Sequence, residues 1–391
     1  MHIRQVSCAL ILVFTALSGF AQQTGKPRAR DLGVPFEGTP GAFNAITDVK
    51  GVEVGLVTLI SGEGKLVVGK GPVRTGVTAI LPRGKSNLDP VFAAWFTLNG
   101  NGEMTGTTWI EESGFLGGPV LITNTHSVGV VRDAAIKWAL EKTKGTGDYN
   151  GDLSLPVAAE TWDGFLNDIN GFHVREEHAL QALNKASSGK VQEGNVGGGT
   201  GMVVHQFKGG TGTSSRLLDT EEGGYTVGVL VQANYGSRKL LNIAGVPVGR
   251  EIPDLLPKAG RADDDQGSII VVLATDAPLL PHQLKRLVKR ISLGIGRMGG
   301  IGGNSSGDIF IAFSTANSAA SQPKGSSTVT MLSNEQINPL FRSAVEATEE
   351  AIINAMVAAE DMTGIDGNKV FAIPHDRLQQ ALRKYGRLTI R

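Results

Sequence analysis

The sequence predicts a mixed α/β fold, on three observations. Glycine supplies 53 of 391 residues, roughly double its usual share, which marks many tight turns and favours a β-rich chain. Short apolar runs bounded by glycine recur from Ile46 onward, as strands do. After residue 268 the order becomes strand, helix, strand, helix, the alternation from which α/β units are built. The chain is long enough to bury a large core, and 41% apolar with 19% charged residues describes a soluble globular protein. A net charge of zero argues against nucleic acid as a partner and against electrostatic attachment to a membrane.

Residues 1–21 read as a secretory signal: Arg4, an apolar stretch from Cys8 through Phe14 and onward, and the small-x-small site Gly19-Phe20-Ala21. The stretch is too short for a membrane span. Cys8 is the single cysteine, so the processed chain would have no disulfide, thiolate nucleophile or cysteine-ligated metal. That suits the bacterial periplasm or secretion. Residues 22–40 are polar and proline-bearing, and read as a loose arm. Gly51–Val57, Gly76–Pro82 and Val91–Phe96 read as half-buried strands. A helix is predicted over 130–142, with Val131, Ala135, Trp138 and Lys142 on one side and Gly145 beyond its end.

Tyr225–Val231 reads as a strand leading to Gln232-Ala233-Asn234, and 268–275 as a buried one. A helix over 279–293 follows, with Leu284, Leu287, Val288 and Ile291 at i, i+3, i+4, i+7. Then come a glycine-rich turn over 299–308, a strand over 309–314, and a long helix over 334–361. Ile337, Leu340, Phe341, Val345, Ile352 and Met356 form the buried stripe of that helix. No repeat of 20 to 50 residues is present.

The most informative chemistry lies at Gly267-Ser268. An acidic run, Arg261-Ala262-Asp263-Asp264-Asp265-Gln266, precedes it and a β-type run follows. A serine at a strand start is common in itself. Here glycine leaves the preceding carbonyl open to attack and tolerates strained dihedrals. Attack by the Ser268 hydroxyl on that carbonyl would give an ester, and its hydrolysis would free the Ser268 amine. An α-amine of pKa about 7.7–8 is a suitable general base near neutral pH. Ser306 and Asp308 lie in a turn whose residues are also ordinary turn formers; their functional reading is a proton relay around Ser268. A phosphate loop is disfavoured, because no Gly-Lys-Ser/Thr ending is present.

Glu160 reads either as a loop carboxylate or as the receptor for a substrate ammonium. Asn234 reads either as a turn starter or as an amide donor to an oxyanion. Asp148, Asn150 and Asp152 begin like a calcium loop, but Leu153 and Ala159 occupy the positions that need Gly and Glu, so a turn is expected. The scattered histidines lack zinc-ligand spacing, and neither metal nor cofactor is expected. The Gly-x-Ser-x-Gly elbow of a Ser-His-Asp hydrolase is absent.

At these residues the chain resembles the self-processing serine aminopeptidases, peptidase family S58, which include L-aminopeptidase/D-esterase and the β-peptidyl aminopeptidases. Gly76–Pro82, Asn99–Gly106, Ile122–Gly129, Glu160–Asp168, Gly267–Gln283 and Ser306–Asn317 carry the resemblance, in order over nearly the whole mature chain. It implies a four-layer αββα sandwich akin to N-terminal-nucleophile hydrolases with its own connectivity. It further implies one hydrolase domain, 22–391, cut at Gly267-Ser268 into a large subunit, 22–267, and a small one, 268–391.

By position, Ser268 is the nucleophile, Ser306 and Asp308 assist it, Asn234 supplies the oxyanion donor and Glu160 binds the substrate's free amine. Trp162 stands where the family often has Tyr, exchanging a phenol for a larger indole at the substrate-binding pocket. Some members have Glu at the position of Asp308. Relatives form homo-oligomers of the two-subunit unit. The expected activity is removal of N-terminal residues from short peptides, amides or esters. The alternatives are an acyltransferase with the same self-cleaving nucleophile and a non-catalytic periplasmic binding protein.

Overall fold

A computed structural model describes residues 26–143, 155–257, 267–322 and 324–389. The expected signal segment, the turn at 148, 150 and 152, and the acidic run before Gly267 lie outside the described residues. The first half of the chain contributes β1 (Glu53–Ser61), β2 (Val73–Leu81), β3 (Val91–Thr97), α1 (Thr107–Ser113), β4 (Phe115–Leu116), β5 (Val120–Asn124), α2 (Val128–Thr143), β6 (Val157–Thr161) and α3 (Glu176–Lys185). There follow β7 (Val203–Val204), β8 (Phe207–Lys208), β9 (Thr211–Leu217), β10 (Thr226–Asn234) and α4 (Val248–Glu251). The last part holds β11 (Ser268–Thr275), α5 (Pro281–Val288), α6 (Ile291–Arg297), β12 (Ile309–Ser314), α7 (Asn338–Val357), β13 (Met362–Thr363), β14 (Lys369–Val370) and α8 (His375–Lys384).

Two sheets dominate. One has the order β1-β2-β5-β6 and the other β4-β3-β12-β11-β10-β9. All neighbouring pairs are antiparallel except β5/β6 and β11/β12. The inner faces meet in a core that joins Ile80, Ile122 and Val157 of the first sheet to Leu230, Val272 and Ile311 of the second. On the outer face of the first sheet, α2 and α3 pack through Val131, Trp138 and Leu183. On the outer face of the second, α5, α6 and α7 pack through Leu284, Ile295 and Ile352. The layers therefore run helix, sheet, sheet, helix: the αββα sandwich.

β11 shows why such a strand reads as an unbroken apolar run. Ile269, Val271 and Leu273 enter the helix-side core, while Ile270, Val272 and Ala274 enter the core between the sheets. With both faces covered, no polar alternation is left. β2 is buried along its whole length for the same reason, where half-burial was expected. Truncating a residue such as Leu273 to Ala would cost about 2–5 kcal/mol.

Several expectations need correction. The arm is not loose over its described part. Arg28 pairs with Glu193 through Nε at 2.7 Å, Arg30 grips both oxygens of Glu350 at 2.7 and 2.8 Å, and Ala29 is fully buried. The helix over 279–293 is two helices. At the break the Arg290 N–H bonds to Leu287 O, a 3₁₀-type contact, and the Arg290 guanidinium donates to Arg286 O. The helix over 334–361 is α7, preceded by a 3₁₀ turn at Asn334–Gln336. It is buried nearly all round, because it lies between other helices and β9 and β10. Lys142 is exposed, and joins the apolar side of α2 only through its ammonium, 5.5 Å from the centre of the Trp138 ring.

Candidate active site

One end of the sandwich gathers the chemistry. β11 begins at Ser268, whose Cα partner across the sheet is Asn234, the last residue of β10. Side chains alternate along a strand. Ser268 therefore shares the inner face with Ile270, and Asn234 shares it with Leu230. Both are buried. β6 of the facing sheet ends beside them, at Glu160 and Thr161.

Gly267 has φ +124, and a Cβ there would lie 1.8 Å from Asn234 O. Only glycine fits on both counts. Its carbonyl oxygen accepts the Gly307 N–H at 3.2 Å. On either side of Gly307 stand Ser306 and Asp308, both buried, and Ser306 Oγ donates to Asp308 Oδ1 at 2.6 Å. This turn is tied to the segment after β3. The Asp308 N–H donates to Asn99 Oδ1 at 2.7 Å, and Asn101 Nδ2 donates to Ser305 O at 2.7 Å. A Cβ on Gly307 would strike Asn101 O at 2.3 Å, so glycine lets the two segments touch.

Glu160 is almost fully buried. Its Oε1 accepts the Glu103 N–H at 3.0 Å and its Oε2 accepts the Thr125 hydroxyl. Burial pushes its carboxyl above the usual range. The Thr125 and Glu103 hydrogen bonds oppose that shift, the Glu103 charge adds to it, and His126 opposes it. A Cβ on Gly102 would sit 3.2 Å from Glu160 Oε1 and 3.3 Å from Gly307 Cα. The carboxylate and the Ser306–Asp308 turn therefore face each other across a residue without a side chain.

Asn234 is held at both ends of its amide. Oδ1 accepts the Val203 N–H at 2.9 Å, and Nδ2 donates to Trp162 O at 2.9 Å. An amide nitrogen carries two hydrogens, so one remains for another acceptor. Trp162 is 43% exposed, and its indole lies over Gly164, where a Cβ would meet the ring at 2.5 Å. His126 stacks on Phe172 with ring centres 5.7 Å apart. Next to Trp162, Asp163 is fully buried and accepts from Asn124 and Asn167. Burial pushes its carboxyl up to about 6 against the hydrogen bonds of Thr75, Asn167 and Asn124.

All the residues singled out in the sequence, Ser268, Gly267, Ser306, Asp308, Asn234, Glu160 and Trp162, meet at this one end. Sequence alone does not mark the Gly307 and Glu103 N–H groups, Thr125, or the peptide group before Val203. Thr125 and Glu103 lie inside segments that carry the resemblance, which was their available signal. Among the described residues no group of three or more His, Cys, Asp or Glu could hold a metal ion, and no helix is long and apolar enough to cross a membrane.

The model of peptidase family S58 matches residues 44–370. A β-peptidyl aminopeptidase BapA of Sphingosinicella microcystinivorans is 56% identical, with 97% of each chain covered. Its namesake from Sphingosinicella xenopeptidilytica is 48% identical over 96% of this chain and 94% of that one. Among solved structures, an L-aminopeptidase D-Ala-esterase/amidase from Ochrobactrum anthropi, a prototype for the serine aminopeptidases and a variant of the Ntn hydrolase fold, superposes with a TM-score of 0.85. It is 52% identical, and 93% of this chain and 100% of that chain are covered. A Burkholderia sp. β-aminopeptidase gives a TM-score of 0.83 at 47% identity, with the same coverage. Family model, sequence identity and superposition agree: the chain belongs to peptidase family S58 and is a serine hydrolase of the aminopeptidase type, built on a variant of the Ntn hydrolase fold.

Proposed function

We propose that the chain is an exported precursor that cuts itself between Gly267 and Ser268 and then removes N-terminal residues from short peptides, amides or esters. The observation that carries this reading is the Gly267 carbonyl, held by the Gly307 N–H at 3.2 Å on the acyl side of a buried serine. In the self-cleavage step Ser268 Oγ bonds to the Gly267 carbonyl carbon and the Gly267–Ser268 C–N bond breaks. The nitrogen takes the hydroxyl proton and becomes the Ser268 amine. Water then hydrolyses the ester, leaving Gly267 as a carboxylate and restoring the hydroxyl. Gly307 N–H supports the charge on oxygen, an electrostatic contribution worth roughly 3–4 kcal/mol per donor.

In turnover the same hydroxyl attacks the substrate carbonyl, with the Ser268 amine or Ser306 moving the proton and Asp308 orienting Ser306 through its 2.6 Å bond. The second N–H of Asn234 holds the oxyanion. Glu160 receives the substrate ammonium, which restricts hydrolysis to the first residue of a chain. The relatives named for β-peptidyl substrates, at 56% and 48% identity, support acceptance of N-terminal β-amino residues. The domain plan is one hydrolase unit, 22–391, severed into 22–267 and 268–391, acting in the periplasm or as a secreted protein, as a homo-oligomer of the two-subunit unit.

N-terminal sequencing of the smaller fragment of active protein tests the reading, together with hydrolysis of β-homoalanine and L-alanine p-nitroanilides. The expected start is Ser-Ile-Ile-Val, with release of nitroaniline from the β-substrate. An active enzyme lacking that fragment would refute the self-cleavage.

A further inference from the structure

Lys208 is fully buried, and the reaction described above makes no use of it. Its Nζ donates to Met202 O at 2.7 Å and to Gly209 O at 2.8 Å; among the described residues both of its hydrogen bonds go to backbone carbonyls. Burial pushes its pKa down to about 7, and the nearby Lys26 charge pushes the same way. Burying an amine against carbonyls alone is costly, so its place in β8 has a physical reason to be found.

The Met202 carbonyl belongs to the same peptide group as the Val203 N–H, and that N–H donates to Asn234 Oδ1 at 2.9 Å. The group is anchored from the facing sheet too. Met202 Sδ accepts the Thr161 hydroxyl at 2.8 Å, and Thr161 Oγ1 accepts Gln232 Nε2 at 2.8 Å. A peptide group is planar and conjugated. Donation to its oxygen therefore strengthens its N–H as a donor, since hydrogen bonds in a chain polarise one another. With Oδ1 occupied by Val203, the Asn234 amide can present only Nδ2 to the end of the sandwich where Ser268 begins.

We propose that Lys208 is a positioning residue for the Asn234 amide, acting through the peptide group between Met202 and Val203. This rests on the reading of Asn234 as the oxyanion donor. The test is a double-mutant cycle on the cleaved enzyme, with Lys208→Met, Lys208→Gln, Asn234→Ala and the pair Lys208→Met/Asn234→Ala. kcat and KM are measured per mole of cleaved chain, so that slow maturation of a variant does not enter the cycle. Lys208→Met is expected to lower kcat roughly tenfold with KM nearly unchanged, less than the 10²–10³-fold loss of a whole oxyanion donor expected for Asn234→Ala. Lys208→Gln, which keeps a donor, should fall between wild type and Lys208→Met. The double variant should be no slower than Asn234→Ala alone.

Losses that multiply in the double variant would overturn the proposal while leaving the oxyanion reading intact, as would an unchanged kcat in Lys208→Met. An unchanged kcat in Asn234→Ala would instead overturn the oxyanion reading, and the Lys208 role with it. Loss of the folded chain in both single Lys208 variants would assign the residue to the β7–β8 hairpin alone and also overturn the proposal.

Discussion

Gly307 N–H donates to the carbonyl oxygen of Gly267 at 3.2 Å, across the turn that leads into Ser268. Neither residue tolerates a side chain. A Cβ on Gly267 would lie 1.8 Å from Asn234 O, and one on Gly307 2.3 Å from Asn101 O. Gly267 is thereby pressed against the end of β10 and Gly307 against the segment after β3, while residues 269–274 of the strand that follows Ser268 are locked in the cores on both sides. The carbonyl is oriented by the fold itself, and a donor already lies where negative charge would develop on it.

If that geometry serves self-cleavage, Ser268→Ala should accumulate as one full-length chain without peptidase activity. The wild type should run on a denaturing gel as two fragments, the larger about twice the mass of the smaller, since 22–267 is about double the length of 268–391. Normal cleavage in the alanine variant would remove Ser268 from the role of nucleophile.

Glu160 should matter only to substrates that carry a free amine. Glu160→Gln is expected to cost such substrates about 2–5 kcal/mol in kcat/KM, the usual loss when one partner of a buried charge pair is removed, and N-blocked esters far less. The pH dependence has a definite sign. The ammonium needs the ionised carboxylate, and burial raises the Glu160 pKa above the ordinary range. KM for free-amine substrates should therefore rise as pH falls, starting at a higher pH than an ordinary glutamate would give. The glutamine variant should lack that acid limb. Equal losses on free and blocked substrates would exclude the ammonium role.

Trp162 splits into two functions. Its carbonyl holds Asn234 Nδ2, whereas its indole lies partly exposed over Gly164. Trp162→Tyr keeps the first and changes the second, so self-cleavage should proceed as in wild type while the side-chain preference shifts. Unchanged relative kcat/KM over a panel of small, aromatic and branched N-terminal residues would separate the indole from the pocket.

The parts of this fold legible in sequence are those set by local pattern. The run from Ser268 to Thr275 is apolar on both faces because both faces are covered, and its ends fall where glycine and Asp276 interrupt the pattern. The arm was not legible. Arg28 and Arg30 look like solvated charges until Glu193 and Glu350 arrive from 165 and 320 residues away. The same limit applies at the candidate site. Ser268 and Asn234 stand at strand ends and advertise themselves, but a backbone N–H such as that of Gly307 has no residue type to mark it. Lys208 looks like a surface lysine in a strand, and only tertiary packing buries it.

The buried ion cluster beneath the arm yields a stability prediction of definite sign. Glu350 is fully buried, accepts from Nε and Nη2 of Arg30, and pairs with Arg216 Nη1 at 2.8 Å. Burial alone would raise its pKa. The Arg30 hydrogen bond and the Arg216 and Arg30 charges outweigh burial and hold the carboxyl below its ordinary value. Its contribution is thus fully present above the ordinary glutamate pKa and is lost as pH falls through the lower native one. Glu350→Gln leaves the buried Arg216 short of a counter-charge, and should cost about 3–5 kcal/mol, read as a lower urea midpoint at neutral pH. The gap between wild type and variant should close as the solution is acidified. A gap that persists unchanged at low pH, or one below about 1 kcal/mol at neutral pH, the range of an exposed pair, would mean that the cluster contributes packing rather than charge.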